Sequence, residues 1–207
     1  MFWKQDVHIL KNVRLLEEQI MYNGTNPSAL RSREWLTNAL LTLLESQKYA
    51  EITIKEICRE ADLSRQTFYQ IFDSKDEVVE YQFIRLFTEF RADCGNFEGI
   101  SLGELSLSFF SFFKKHSNFI RVMTSNNMAY LLEREFEHFL PQIDLFRRIN
   151  ETEEHPDYSV CYMAGALCQI LIHWYDKGMD LPVEKIANLT EQIISGTSFA
   201  ADSFHDK

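Results

Sequence analysis

Two short capped segments, separated by only two residues, constrain this chain more than any other feature. Thr53-Ile54-Lys55-Glu56 is a capping box, a hydroxyl three residues ahead of a carboxylate, and it opens a helix that reaches about Ala61. Ser64 caps a second helix that reaches Phe72, and only Asp62-Leu63 lies between the two. So short a connection forces a sharp crossing, the geometry of a helix-turn-helix. Phe68, Ile71 and Phe72 share one face of the second helix and can pack on Leu40, Ile54 and Ile57. Arg65, Gln66, Thr67, Tyr69 and Gln70 are left facing outward.

Apolar residues recur at helical spacing along nearly the whole chain, and no alternating run bounded by turn residues suggests a strand. The fold class read from this pattern is all-α. Seven glycines and four prolines in 207 residues fit long elements with few tight turns. Residues 7–22 place Ile9, Val13, Leu16 and Ile20 on one stripe, a predicted N-terminal amphipathic helix that packs on its own protomer or a partner; Asn23 to Asn26 form its linker. A helix from about Pro27 carries Trp35, Leu36, Ala39, Leu40, Leu43 and Leu44, and Ser74-Lys75-Asp76-Glu77 opens a long one to about Asp93. Further helices are predicted over 101–115, 117–125, 127–148, 157–178 and 182–199, with Gly178 ending the penultimate one and Pro182 starting the last. The expected organisation is an N-terminal helix and linker at 1–26, a three-helix head at 27–74 and a larger helical domain at 75–207.

The outward residues suit the edges of bases in a major groove. Arginine pairs with guanine O6 and N7, glutamine with adenine N6 and N7, and hydroxyls reach phosphates. The formal net charge of -10 works against binding to nucleic acid, whose affinity comes mostly from Lys and Arg on phosphates. Local placement matters more: residues 63–72 hold Arg65 and no acid. Four cysteines without CxxC spacing read as reduced thiols in a cytoplasmic protein, and the apolar run from Val160 to Trp174 is too short to span a bilayer. Neither HxxxH nor HExxH occurs, and there is no Gly-rich phosphate loop, so the sequence nominates no metal site, cofactor or catalytic group.

The run Ile57-Cys58-x-x-Ala61-Asp62-Leu63-Ser64-x-x-Thr67-Phe68-Tyr69-x-x-Phe72-x-Ser74-Lys75-x-Glu77 resembles the DNA-binding signature of the TetR family over about residues 30–80. The resemblance implies a homodimeric transcriptional regulator on a double-stranded operator, with base contacts near Lys55, Arg65, Gln66 and Gln70. It implies backbone contacts from Thr53, Thr67, Tyr69 and Lys75, with Ser64 at the cap. Asp62 stands where a turn glycine is usual, Cys58 where a small alanine is, and Ile71 where a polar or aromatic residue is common.

In such a protein the second domain binds an effector and dimerises. The residues expected to line a pocket for a small apolar or amphipathic effector are Phe109, Phe112, Phe113, Phe119, Met123, Tyr130, Phe136, Tyr162 and Met163. Ala164, Leu167, Leu171, Ile186, Leu189 and Ile193 are expected in a four-helix dimer interface. Function then reads as repression relieved by that effector. The alternative is a DNA-binding regulator whose state is set by a partner protein.

Overall fold

The computed structural model describes residues 27–94, 99–143, 145–147 and 154–196, and every regular element among them is helical. The predicted amphipathic helix at 7–22 lies outside the described residues. In chain order the helices are α1 (Pro27–Leu44), α2 (Ile54–Glu60), α3 (Arg65–Tyr69), α4 (Lys75–Asp93), α5 (Leu102–Lys115), α6 (Ser117–Ser125), α7 (Ala129–Phe139), α8 (Pro156–Asp176) and α9 (Val183–Ile194). No helix among the described residues is long and apolar enough to cross a membrane.

The chain divides into two compact units between Phe87 and Thr88, inside α4. Sequence pattern alone had put the end of the head at residue 74. The difference arises because the first turns of α4 are anchored to the head. Tyr81 meets Phe72 edge-on at 5.9 Å, and Val78 and Val79 are almost wholly buried. Inside the first unit, α1 packs on α2, and Leu36, Leu40, Ile52, Ile57 and Phe68 are at most 2 % exposed. Burying side chains of this size contributes roughly 1.5–3 kcal/mol each relative to exposure, which is what holds three short helices together.

In the second unit, α5 packs on α9 and α7 on α8. Gly103 permits the first contact: a Cβ there would come within 2.8 Å of the Glu191 carboxylate. Phe110 and Trp174 are fully buried edge-to-face at 5.4 Å, and the indole N–H of Trp174 donates to the Leu181 carbonyl at 2.9 Å. The helix predicted over 127–148 stops at Phe139. Its pattern continues as a tight 3-10 turn, Leu140–Gln142, because Pro141 has no N–H to continue an α-helix.

Three helix ends share one closure. After α2, the Leu63 N–H reaches back to the Cys58 carbonyl at 2.9 Å while Asp62 sits at φ 53°. After α6 and α8 the same pattern recurs, Met128 to Met123 and Met179 to Trp174, with Asn127 at φ 57° and Gly178 at φ 69°. These are six-residue backbone closures around a left-handed residue, and they satisfy carbonyls that a helix end would otherwise strand. Left-handed backbone costs glycine little and aspartate more. Asp62→Gly is therefore expected to raise stability by about 0.5–1 kcal/mol in urea unfolding; a lowered midpoint would show that the Asp62 side chain supports the turn.

Candidate nucleic-acid interface

The α2 cap forms as its residue types dictate. Glu56 N–H donates to Thr53 Oγ1 at 3.3 Å, while Thr53 N–H and Oγ1–H donate to the Glu56 carboxylate at 2.9 and 2.7 Å. The Thr53 side-chain hydrogen bond, aided by the backbone one, holds the Glu56 carboxyl below its ordinary pKa. This acid is thus tied to the start of its own helix. Ser64 Oγ accepts the Thr67 N–H at 3.0 Å and lies 2.9 Å from Thr67 Oγ1, so the capping pair at the start of α3 is joined side chain to side chain.

Phe68 is completely buried and turns α3 so that its other faces look outward. Arg65, Gln66 and Gln70 are exposed and Tyr69 is 57 % exposed, its ring edge-on to Phe68 at 5.5 Å. Lys55 and Thr53 are exposed on α2, while Thr67 is half-buried. The structure thus brings Thr53, Lys55, Ser64, Arg65, Gln66, Thr67, Tyr69 and Gln70 to the surface of two adjoining helices. Between residues 53 and 75 the cations Lys55, Arg59, Arg65 and Lys75 match the anions Glu56, Glu60, Asp62 and Asp73, so this segment escapes the acidity of the whole chain.

Lys75 stands apart. Its ammonium donates to the carbonyls of Tyr49 at 2.6 Å and Ile52 at 3.0 Å and lies 4.2 Å from the centre of the Tyr49 ring. The Tyr49 hydroxyl in turn donates to Asp76. Two of the three ammonium donors are therefore spent inside the head, and this lysine latches the start of α4 to the loop before α2.

The second unit redistributes the remaining predicted residues. Phe109, Phe112, Phe113, Phe119, Met123 and Met163 are buried; Phe109 meets Phe113 at 4.8 Å and Phe136 at 5.5 Å, forming a packed aromatic core. Tyr130 and Tyr162 are 62 % and 61 % exposed and belong to the surface, because they point away from the helices that pack on α7 and α8. A groove of about 360 Å³ lies elsewhere, along Phe90, Asp93 and Cys94 at the end of α4 and Leu107, Ser108, Ser111, Phe112 and Lys115 on α5. Only Phe112 is shared with the expected lining. Residues 107, 108, 111, 112 and 115 share one face of α5 at helical spacing.

The expected dimer stripe is also revised. Ala164, Leu167, Leu171 and Ile186 are at most 7 % exposed within one protomer, because α8 spends that face on α7 and α9 spends its own on α5. Ile193 is half-buried, Leu189 is 40 % exposed, and Tyr158 and Tyr162 stand out from α8 one turn apart.

Comparisons with known proteins match both parts of the chain. Residues 36–81 match the family described as bacterial regulatory proteins, tetR family, and residues 102–196 match a transcriptional regulator C-terminal region. The HTH-type dhaKLM operon transcriptional activator DhaS of Lactococcus lactis is 28 % identical over 151 residues, covering 65 % of this chain and 74 % of that protein. The uncharacterized HTH-type regulator YxbF of Bacillus subtilis is 25 % identical over 174 residues, 76 % of this chain but 43 % of the relative. A TetR regulator of Streptococcus agalactiae shares the fold with a TM-score of 0.62 at 17 % identity, over 81 % of this chain and 95 % of that one. The solved structure of a dihydroxyacetone kinase operon activator, DhaS, gives 0.54 at 20 % identity, over 83 % and 98 %.

Two substitutions separate reading from latching. Arg65→Ala is expected to cost ~1–3 kcal/mol of binding to a cognate site and to relax base preference, measured by fluorescence anisotropy on cognate and random duplexes. Lys75→Met is expected to lower folding stability by about 1.5 kcal/mol or more, the worth of hydrogen bonds from a charged donor, in chemical denaturation. Wild-type stability with uniformly weaker DNA binding would instead return Lys75 to a phosphate.

Proposed function

Because this chain belongs to the TetR family of DNA-binding transcriptional regulators, we propose that it acts as a homodimer on a pseudo-palindromic operator, reading bases with Arg65, Gln66 and Gln70. Thr53, Lys55, Ser64, Thr67 and Tyr69 contact the backbone. The observation that carries this reading is the outward face of α3: one cation, two amides and a tyrosine, exposed, with no acid between residues 63 and 72. The two heads sit about one turn of DNA, roughly 34–36 Å or a multiple, apart. The dimer face comprises Tyr158, Tyr162 and Leu189, the apolar side chains that α8 and α9 leave exposed.

A small amphipathic effector occupies the groove between the end of α4 and α5, where Phe90, Leu107 and Phe112 supply apolar walls and Ser108, Ser111 and Lys115 supply polar partners. Its binding shifts the population of head arrangements, and the protein, acting as a repressor, leaves the operator. A second reading, in which a partner protein sets the state, draws support from Tyr130, which is exposed on α7 outside that dimer face. DhaS of L. lactis is named an activator, so the direction of control is decided by a reporter carrying the operator either across or upstream of a promoter.

Selection from a random duplex pool with the purified protein is expected to enrich an inverted repeat. Failure to enrich any sequence would overturn the proposal.

A further inference from the structure

The head contains a group of polar atoms that its DNA-reading face does not use. On α4, Tyr81, Gln82 and Arg85 lie within little more than one turn, and Arg85 follows Tyr81 by four residues, so their side chains share a face. Arg33 comes across from α1, its guanidinium carbon 5.3 Å from the centre of the Tyr81 ring and 6.0 Å from that of Phe72. One terminal nitrogen of Arg33, one of Arg85 and the Gln82 side-chain oxygen are buried without a hydrogen-bond partner among the described residues. Gln82 itself is only 6 % exposed. Both guanidinium charges act on the Tyr81 hydroxyl, where they oppose the upward pull of burial on its pKa; the exposed Glu34 is the acid that acts there too.

A buried guanidinium N–H without an acceptor and a buried amide oxygen without a donor are each costly, and three such atoms lie on the adjoining helices α1 and α4. Arg33 and Arg85 are only partly buried as residues, so the pair is reached from the surface along their outer edges. We propose that Arg33, Gln82 and Arg85 hold a small phosphate group, an inorganic phosphate ion or a phosphomonoester, between α1 and α4. The donor set favours phosphate over other oxyanions. Guanidinium N–H groups donate to its charged oxygens, and its remaining P–O–H donates to the Gln82 oxygen, which has only acceptor capacity to offer. A phosphomonoester, with a second pKa near 6, keeps that proton in part at neutral pH, and inorganic phosphate keeps at least one. Sulfate and carboxylate have no such proton, nor does a DNA phosphodiester. The site therefore takes a free phosphate or a phosphorylated small molecule, and bound phosphate ties α1 to the helix that leaves the head.

The test is calorimetric titration of the full chain at pH 6.5 and fixed ionic strength with inorganic phosphate, sulfate and a random duplex. Phosphate is expected to bind at least tenfold more tightly than sulfate. The Arg33→Gln, Arg85→Gln double variant is expected to lose phosphate binding while keeping or gaining thermal stability in phosphate-free buffer, because two buried guanidinium nitrogens without acceptors are gone. Gln82→Leu, the second variant should the first fail to fold, is expected to bind phosphate and sulfate alike. No phosphate binding by the natural chain, equal binding by the natural chain and either variant, or displacement of phosphate by the duplex would overturn the proposal.

Discussion

The closure at the end of α2 is the constraint on which the head depends. When Leu63 N–H turns back to Cys58 O, with Asp62 held left-handed, the chain reverses within two residues and α3 must start at Ser64. That start turns Phe68, four residues after the cap, inward, where it is completely buried. With Phe68 inward, the helical period leaves Arg65, Gln66, Tyr69 and Gln70 outward. A one-residue change in the closure would rotate α3 by about 100° and bury part of the reading face, which follows from 3.6 residues per turn.

Electrostatics then sets how such a head works on a chain of net charge -10. Three of its acids are committed to structure: Glu56 to the Thr53 cap, Asp76 to the Tyr49 hydroxyl, and Glu77 to the Asp73 N–H at 2.8 Å. One of its cations is committed as well, since Lys75 is drawn onto two carbonyls. With cations and anions balanced between residues 53 and 75, little general attraction for phosphate is expected of this face.

Features governed by a few neighbouring residues were legible in the sequence. The Thr53–Glu56 box, the Ser64 cap and the Gly178 stop form as read, because capping is chemistry between residues three or four apart. Pro141 ended a helix that periodicity alone had extended. Features that depend on which of two apolar faces meets which neighbour were not legible. Leu167 and Leu171 suit a dimer seam and a monomer core equally until α7 is seen against α8, and Tyr130 differs from Phe136 in sequence only by a hydroxyl and a helical offset. The Lys75 latch spans 26 residues to Tyr49, a distance at which no local pattern carries information.

The central claim, that α3 reads bases through Arg65, is tested most directly by methylation interference on a duplex that the protein binds. An arginine paired with guanine O6 and N7 is blocked by a methyl group on N7. In each half-site one guanine is predicted to abolish binding of the natural chain when methylated, and the same mark is predicted to leave the residual binding of Arg65→Ala unchanged. Equal interference in both proteins would show that a different group reads that guanine and would contradict the account.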